Sequence, residues 1–492
     1  MSARRYLKGG LLLSGGSVLS AGCSFARNII IARLISVEDF GIAATFAMTM
    51  SLIEMASNLA LDRMLVQAPD GGAPRMLATA HAFQVFRGVV SAVILFLLAA
   101  PVAALFDIPG VVWAFQLIAL VPLIKSFTHL DAACQQRDMR FGASVWLDTA
   151  PQVVVTVFAA PLALWLGDYR VMLVVVLGQV ILMTLVSHWV ASRPYRWAWD
   201  RQIIGRMLRF GWPLLINGFL MFAIFQGDKA IIGAAFTMEE LGWYAAAFGL
   251  VLVPAMVASR VLQTFLLPML SRLQDNMPAY QQRFIQSAQL CMAVGFVFGI
   301  SAIIAVDDFL VFFYGYRYSE GASVIGVLAL MQAVRIARIG QSLGAMGLGD
   351  TKNPLYANAV RSIAIPLALI AVATGQGVWA VAATGLVGEC LAAVCSQLLL
   401  RRRFKLPAKP LLPLAVIAGA VLLVIGWADS TFGLGGEPPS VLAIILGCAA
   451  GAAAMLCSVV CAPELRELLR RYGREIRPGL QSSGTVSVEE LA

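Results

Sequence analysis

The sequence predicts an all-α membrane protein of about 14 transmembrane helices, built as two parallel six-helix bundles around a central cavity with a C-terminal helix pair added. Three observations predict it. The 492 residues are 60% hydrophobic and only 13% charged, with a mean hydropathy of +0.82, which leaves too little polar surface to cover a water-soluble globule. Nearly all Lys and Arg between the apolar segments fall in alternate connections, and the first two segments of each half repeat at an offset of 201 residues.

The apolar segments run at about 10–32, 41–65, 76–100, 110–133, 142–166, 171–192, 208–234, 241–270, 284–306, 321–346, 355–374, 378–400, 411–428 and 440–461. Most hold the ~20 residues that ~30 Å of hydrocarbon requires. Arg4, Arg5, Lys8, Arg75, Arg137, Arg140, the basic residues from Arg193 to Arg209, Arg272, Arg283, Lys352, the run Arg401 to Lys409 and those from Arg466 onward fall on one side. Arg33, Arg170 and Arg317 fall on the other. Cytoplasmic connections retain positive charge during insertion, so both termini are expected in the cytoplasm of a bacterial inner-membrane protein. The net charge of +9 then reflects topology and contact with the headgroups of membrane lipids, and gives no sign of nucleic acid.

The first segment follows Arg4, Arg5 and Lys8 like a signal peptide, but Gly, Ser, Arg27 and Asn28 interrupt it and it is read as a retained helix. The eight cysteines lack metal-ligand or secreted-framework spacing and read as packing residues, so no metal and no cofactor is expected.

The repeat sets the domains. Leu7-Lys8-Gly9-Gly10 lies on Leu208-Arg209-Phe210-Gly211, and Ser36-Val37-Glu38-Asp39-Phe40-Gly41 on Thr237-Met238-Glu239-Glu240-Leu241-Gly242. Each hexapeptide offers a hydroxyl N-cap and an acid that closes a capping box. A weaker match places Gln136-Arg137-Asp138-Met139-Arg140-Phe141 on Gly349-Asp350-Thr351-Lys352-Asn353-Pro354, at an offset of 213. Six helices per half keep the halves in one orientation, about an axis along the membrane normal. The expected units are lobes at 1–200 and 201–405, two added transmembrane helices at 406–463, and a cytoplasmic tail at 464–492 that begins as a surface helix.

Arg27, Arg63, Arg87, Lys125, Lys229, Arg260, Arg335, Arg338 and Arg361 lie within the helices, with Glu54, Asp62, Asp131, Asp148, Asp228 and Glu389. Each costs roughly 2.5 to 3.5 kcal/mol at mid-bilayer, so they must face one another or a wet cavity. Their spacing draws polar stripes: Glu54, Asn58 and Asp62; His81, Gln84 and Arg87; Ser144, Asp148, Gln152 and Thr156. Asp228 and Lys229 also read as structural, pairing across the bundle, with Arg27 at the repeat position of Asp228. Arg27, Lys125, Arg260, Arg335, Arg338 and Arg361 outnumber the well-buried acids. An excess of buried positive charge wants an anion, and the planar guanidinium suits phosphate. The three histidines, His81, His129 and His188, sit on separate helices.

The stretch Asn28 to Gly41, the turn Gln136 to Phe141, Phe210-Gly211-Trp212-Pro213-Leu214-Leu215 and Leu348-Gly349-Asp350-Thr351-Lys352 resemble the bacterial polysaccharide transporter (oligosaccharide flippase) family over residues 5 to 405. That family belongs to the superfamily that also holds the lipid II flippases and the two-lobed multidrug exporters. The resemblance implies flipping of undecaprenyl-diphosphate-linked oligosaccharide across the inner membrane for surface or exopolysaccharide assembly. It implies alternating access, with the lipid-linked oligosaccharide as substrate and polysaccharide polymerase and export machinery as partners.

On this reading the six cations named above are the diphosphate-binding candidates, and Glu54, Asp148, Asp228, Lys229 and Glu389 the candidates for ion coupling or gating. Asp350-Thr351 departs from the basic residue expected there. A drug or ion antiporter of the same superfamily would want fewer cavity arginines. A membrane-embedded polymerase, ligase or acyltransferase would want a large external domain or clustered catalytic groups.

Overall fold

The computed structural model describes residues 3–57, 59–432 and 441–467, and among these every regular element is a helix. Ten helical stretches, from Pro74–Leu105 to Val378–Phe404, are long and apolar enough to cross a membrane, and Lys409–Leu422 and Ala449–Cys461 are shorter apolar stretches. This is a multi-pass membrane protein. The chain divides into two compact units, one of residues 1–249, 310–321 and 365–381, the other of residues 250–309, 322–364 and 382–492.

The first unit opens with α1 (Ala3–Leu34) and α2 (Val37–Ser57), followed by α3 (Leu61–Gln67), α4 (Pro74–Leu105), α5 (Val112–Ile118), α6 (Leu120–Ser126) and α7 (Asp131–Arg137). It continues through α8 (Gly142–Leu166), α9 (Arg170–Val190), α10 (Arg201–Ala235) and the start of α11 (Met238–Ser271). Helix α1 lies along α8, α8 along α9, α4 along α5 and α6, and α2 along α10. Small residues set these approaches: Gly16 of α1 receives Val145, and Gly218 of α10 lies under the Met55 carbonyl.

Both predicted hydroxyl N-caps form, and the capping box closes in the second. The Asp39 amide donates to Ser36 Oγ at 3.0 Å, and Ser36 Oγ donates back to the Asp39 carboxylate. In the second repeat the Glu240 amide donates to Thr237 Oγ1 at 3.1 Å, while Glu240 accepts the Thr237 amide and hydroxyl at 2.9 Å.

Two of the expected continuous helices in this unit are broken. The segment 41–65 divides between α2 and α3, with Ala60 left-handed at φ 47° and Leu59 filling the notch of Gly211. The stripe Glu54, Asn58, Asp62 is therefore not one helical face, and Asn58 lies outside the described residues. The segment 110–133 divides at Ala119, ahead of Pro122, and again in the turn 127–130 before α7.

The second unit holds most of α11, α12 (Met277–Tyr314, to Phe309), α13 (Ala322–Met346) and α14 (Lys352–Arg361), while α15 (Ala364–Ala373) belongs almost wholly to the first. The expected helix 355–374 thus parts at Ser362–Ile363, where Pro366 has no N–H for the Ser362 carbonyl. Then come α16 (Val378–Phe404), α17 (Leu412–Phe432) and α18 (Val441–Cys461).

Gly295 and Gly299 of α12, four apart, admit α13 at Ala333, and Gly340 and Gly344 of α13 admit Ala288 and Phe284 of α12. The final helices pack in part on α12: Leu422 and Ala454 lie against Phe296, Ile300 and Ile303, whereas Val416 and Leu456 are exposed. The start of the tail is docked, with Leu465 buried and its amide donating to Gln289 Oε1 at 3.1 Å. Residues 468–492 of the expected tail lie outside the described residues.

The weaker repeat match marks two identical caps. α7 and α13 both end in Schellman motifs, in which Met139 (φ 59°) and Gly349 (φ 78°) are left-handed. The Arg140 amide bonds to Gln135 O and Asp350 to Ala345 O, which aligns the turns at an offset of 210 rather than 213.

Candidate functional site

In the first unit, a cavity of about 390 Å³, mainly between α2, α4, α6 and α8, is lined by Glu54, Asp62 of α3, Arg87, Lys125 and Asp148, together with Gln84 and His129. Burying these charges in hydrocarbon would be costly, and the cavity lets water and partners solvate them. Lys125 pairs with Glu54, both side chains part-exposed to the opening. Arg87 lies within electrostatic range of Asp62 and Glu54. Three carboxylates face two cations here, so this cavity does not carry the positive excess expected from the sequence.

A second pocket of about 350 Å³ shares Leu147, Asp148 and Met183 with the first and is otherwise lined by hydroxyls and amides, including Ser17, Ser20, Ser24, Gln152 and Gln179. Arg27 stands behind this lining, 8% exposed, donating to Gln179 Oε1 at 2.9 Å and Ser24 Oγ at 3.3 Å. Gln152, with its amide turned as its neighbours require, accepts from Arg27 at 3.0 Å. All of these hydrogen bonds go to neutral groups.

Asp228 and Lys229 form a separate constellation on α10. Asp228 accepts the Tyr244 hydroxyl at 2.6 Å and the Lys229 amide at 2.8 Å, while Lys229 Nζ donates to Gln226 Oε1 at 2.9 Å and stands 4.2 Å above the Phe248 ring. Arg27 and Asp228, though repeat-equivalent, bond to different groups.

In the second unit the arginines of α13 and α14 converge on one acid of α16. Glu389, fully buried, is paired with Arg338 Nε at 3.2 Å and Arg361 Nε at 2.9 Å. Arg335, one turn before Arg338, feels the charges of all three. Arg338 and Arg361 thus share one carboxylate, with Arg335 beside them. Arg260 is exposed on α11, and the structure does not join it to this cluster.

The sequence missed the gathering of the histidines. His81 of α4, His129 of the 127–130 turn and His188 of α9 surround the Tyr195 ring, with centroid separations of 4.3 to 5.4 Å from it. Only the placement of His81 on the Gln84–Arg87 stripe hinted that one of them faced inward. Their nitrogens point to separate backbone groups, and among the described residues no group of three His, Cys, Asp or Glu is arranged to hold a metal ion.

A family model described as polysaccharide biosynthesis protein matches residues 30–323. The teichuronic acid biosynthesis protein TuaB of Bacillus subtilis (strain 168) is 21% identical over 420 residues, 82% of this chain and 85% of that protein. The succinoglycan biosynthesis transport protein ExoT of Rhizobium meliloti (strain 1021) is 23% identical over 330 residues, 65% of each chain. The lipopolysaccharide biosynthesis protein WzxC of Escherichia coli (strain K12) is 19% identical over 67% of each. Among solved structures, the chain shares the fold of the lipid II flippase MurJ in an inward closed conformation, with a TM-score of 0.70 at 14% identity over 93% of this chain and 100% of that one. An inward-facing MATE family multidrug transporter aligns at a TM-score of 0.62 and 14% identity, over 81% and 98%.

Proposed function

The chain belongs to the polysaccharide biosynthesis protein family, and from that membership we propose that it flips a lipid-linked oligosaccharide, carried on undecaprenyl diphosphate, across the bacterial inner membrane by alternating access. The observation that carries this reading is the convergence of two buried guanidiniums, Arg338 and Arg361, on Glu389, with Arg335 one turn away. A diphosphate that reached them would offer the oxygens that paired guanidiniums grip. The hydroxyl- and amide-lined pocket backed by Arg27 suits sugar hydroxyls, and the names of TuaB, ExoT and WzxC concern teichuronic acid, succinoglycan and lipopolysaccharide.

On this reading Arg27, Lys125 and Arg260 are further headgroup contacts along the path, and lobes at 1–200 and 201–405 rock about their seam. Glu54, Asp148, Asp228, Lys229 and Glu389 hold ion pairs or couple an ion in one state. Both termini are cytoplasmic, and a polymerase and export machinery receive the product.

The experiment is a leaflet-resolved assay of lipid-linked oligosaccharide in cells carrying wild type, Arg27→Ala or Arg335→Ala protein. The expected result is precursor trapped in the inner leaflet for both variants, and unchanged movement removes these arginines from the mechanism. One observation favours a second reading, export of a cation: acids outnumber bases around the α2–α4–α6–α8 cavity. Efflux of a cationic dye by the purified protein, with no glycan trapped in a deletion strain, would select it.

A further inference from the structure

The turn from Ser126 to Asp131 leaves the helical path inside the first unit, and its backbone groups are bound by side chains from three sides. Gln84 Nε2 donates to Ser126 O at 2.9 Å and Thr128 O at 3.2 Å, and His188 Nε2 lies 3.0 Å from Phe127 O. Ser187 Oγ accepts the His129 amide at 2.8 Å. The Phe127 and Thr128 amides bond back to Ile124 O and Lys125 O at 3.1 Å, and the next two after His129 go to imidazoles: Leu130 N–H donates to His81 Nε2 at 3.2 Å, and Asp131 N–H donates to His129 Nδ1 at 3.0 Å.

Those two bonds require lone pairs. His81 accepts on Nε2, so its Nδ1 carries the proton and donates to Arg196 O at 3.3 Å, and both its nitrogens are committed in the neutral form. His129 accepts on Nδ1, so in the neutral form its proton sits on Nε2, on a residue 2% exposed. A proton added to either ring converts an acceptor into a donor that faces a backbone N–H, and the bond is lost. His188 differs: it is exposed, and its bond to Phe127 O survives protonation.

The rings form a series. His188 lies 5.5 Å from His129 by centroid, and His129 4.7 Å from His81. Facing them from the packed elements are Asp131 of α7, bridged to Arg193 at 3.3 Å, and the Tyr195 ring from the connection after α9. His129 also lines the cavity, and the turn it belongs to ends α6, which carries Lys125.

We propose that His81, His129 and His188 form a proton-binding site that latches the 126–131 turn, so that a proton entering at His188 and reaching the inner rings frees the Lys125 wall of the cavity. This makes the proton the ion coupled to transport, and it rests on the transporter reading above.

The full chain in lipid nanodiscs tests it. After correction for intrinsic rates, amide hydrogen exchange across residues 126–131 is expected to rise on the order of tenfold between about pH 7.5 and 5.5, the scale of losing one or two such bonds. His81→Gln keeps an acceptor and a donor but does not titrate, so its step is expected to shrink. His81→Ala is expected to exchange fast at both values. A flat wild-type profile, or an equal step in His81→Gln, overturns the proposal.

Nitrogen-15 spectra of the three histidines give a second measure in the unmutated protein. A bound proton on His81 Nε2 or His129 Nδ1 at neutral pH also overturns it. Movement of lipid-linked glycan in the same preparation, reconstituted into vesicles, reports separately. Movement with flat exchange removes the latch alone, whereas a step in exchange without movement supports the latch and removes the flippase reading.

Discussion

Gly41 and Gly242 lie against each other at the starts of α2 and α11, and a Cβ built on either would stand 3.1 Å from the backbone nitrogen of the other. It would also overlap a carbonyl of the opposite repeat, Met238 for Gly41 and Val37 for Gly242. Both residue pairs are related by the 201-residue offset. Residue i touches j as j touches i, the signature of a local two-fold axis. The hydroxyl N-caps just before these glycines therefore mark where these two helix starts meet as well as where they begin.

Adding a methyl at either glycine should cost alike. Gly41→Ala and Gly242→Ala are each expected to destabilise by about 1–3 kcal/mol, because backbone rather than a flexible side chain must yield. The double variant should cost less than the sum, since the first displacement opens room for the second. Thermal melts in detergent check this, with Gly326→Ala, where nothing lies within 4 Å, expected to show no loss.

Met139 adopts the left-handed C′ conformation that Gly349 adopts in the equivalent turn. Met139→Gly is expected to stabilise by roughly 0.5–1 kcal/mol, and Gly349→Met to destabilise by a similar amount. Melting temperatures of the two variants, moving in opposite directions, are the readout. Movement in the same direction would remove the strain at Met139.

Glu389 and Arg335 should separate stability from function. Glu389→Gln leaves Arg338 and Arg361 without their buried acid and is expected to cost about 3–5 kcal/mol. Arg335→Ala instead leaves the Glu389 pairs with Arg338 and Arg361 in place, so it is expected to cost less stability than Glu389→Gln while glycan movement falls. A melt and the leaflet assay on both variants decide it. An unstable Arg335→Ala would assign that residue to packing.

Asp70, in the connection between α3 and α4, pairs with Arg206 at 2.7 and 2.8 Å, and this hydrogen bond holds its carboxyl down at about 2. The folded value lies below the ordinary ~4 of an unfolded aspartate, so the stabilisation is complete above that pH and fades as pH falls towards 2. Hydrogen exchange of residues 68–73 should accelerate over that window in wild type. Arg206→Ala should flatten that response, and salt should weaken the pair because both groups are exposed.

Much of the site was legible only as inventory. The sequence named Lys125, Glu54, Asp148, Arg338, Arg361 and Glu389 as groups that hydrocarbon would not tolerate. It did not say that Lys125 would take Glu54, or that two arginines would close on one acid, since these pairs join helices far apart in the chain. Arg260 shows the reverse, a cation grouped with the others by sequence yet exposed on its helix. The histidines show it best. Three residues on separate segments gave no spacing to read, and they meet because the α6–α7 turn is folded back between α4 and α9.

By itself the sequence determined the apolar segments, their expected sidedness, the hydroxyl N-caps and the repeat, because hydropathy, loop charge and N-caps are properties of neighbouring residues. The parting at Ser362–Ile363 follows from Pro366, whereas tertiary structure alone decided the breaks at Ala60 and at the 127–130 turn and which buried charges and imidazoles share a space. Those outcomes depend on how closely helices approach. Contacts such as Gly211 against Leu59 and Gly340 against Ala288 set that approach, between residues with no periodic relation along the chain.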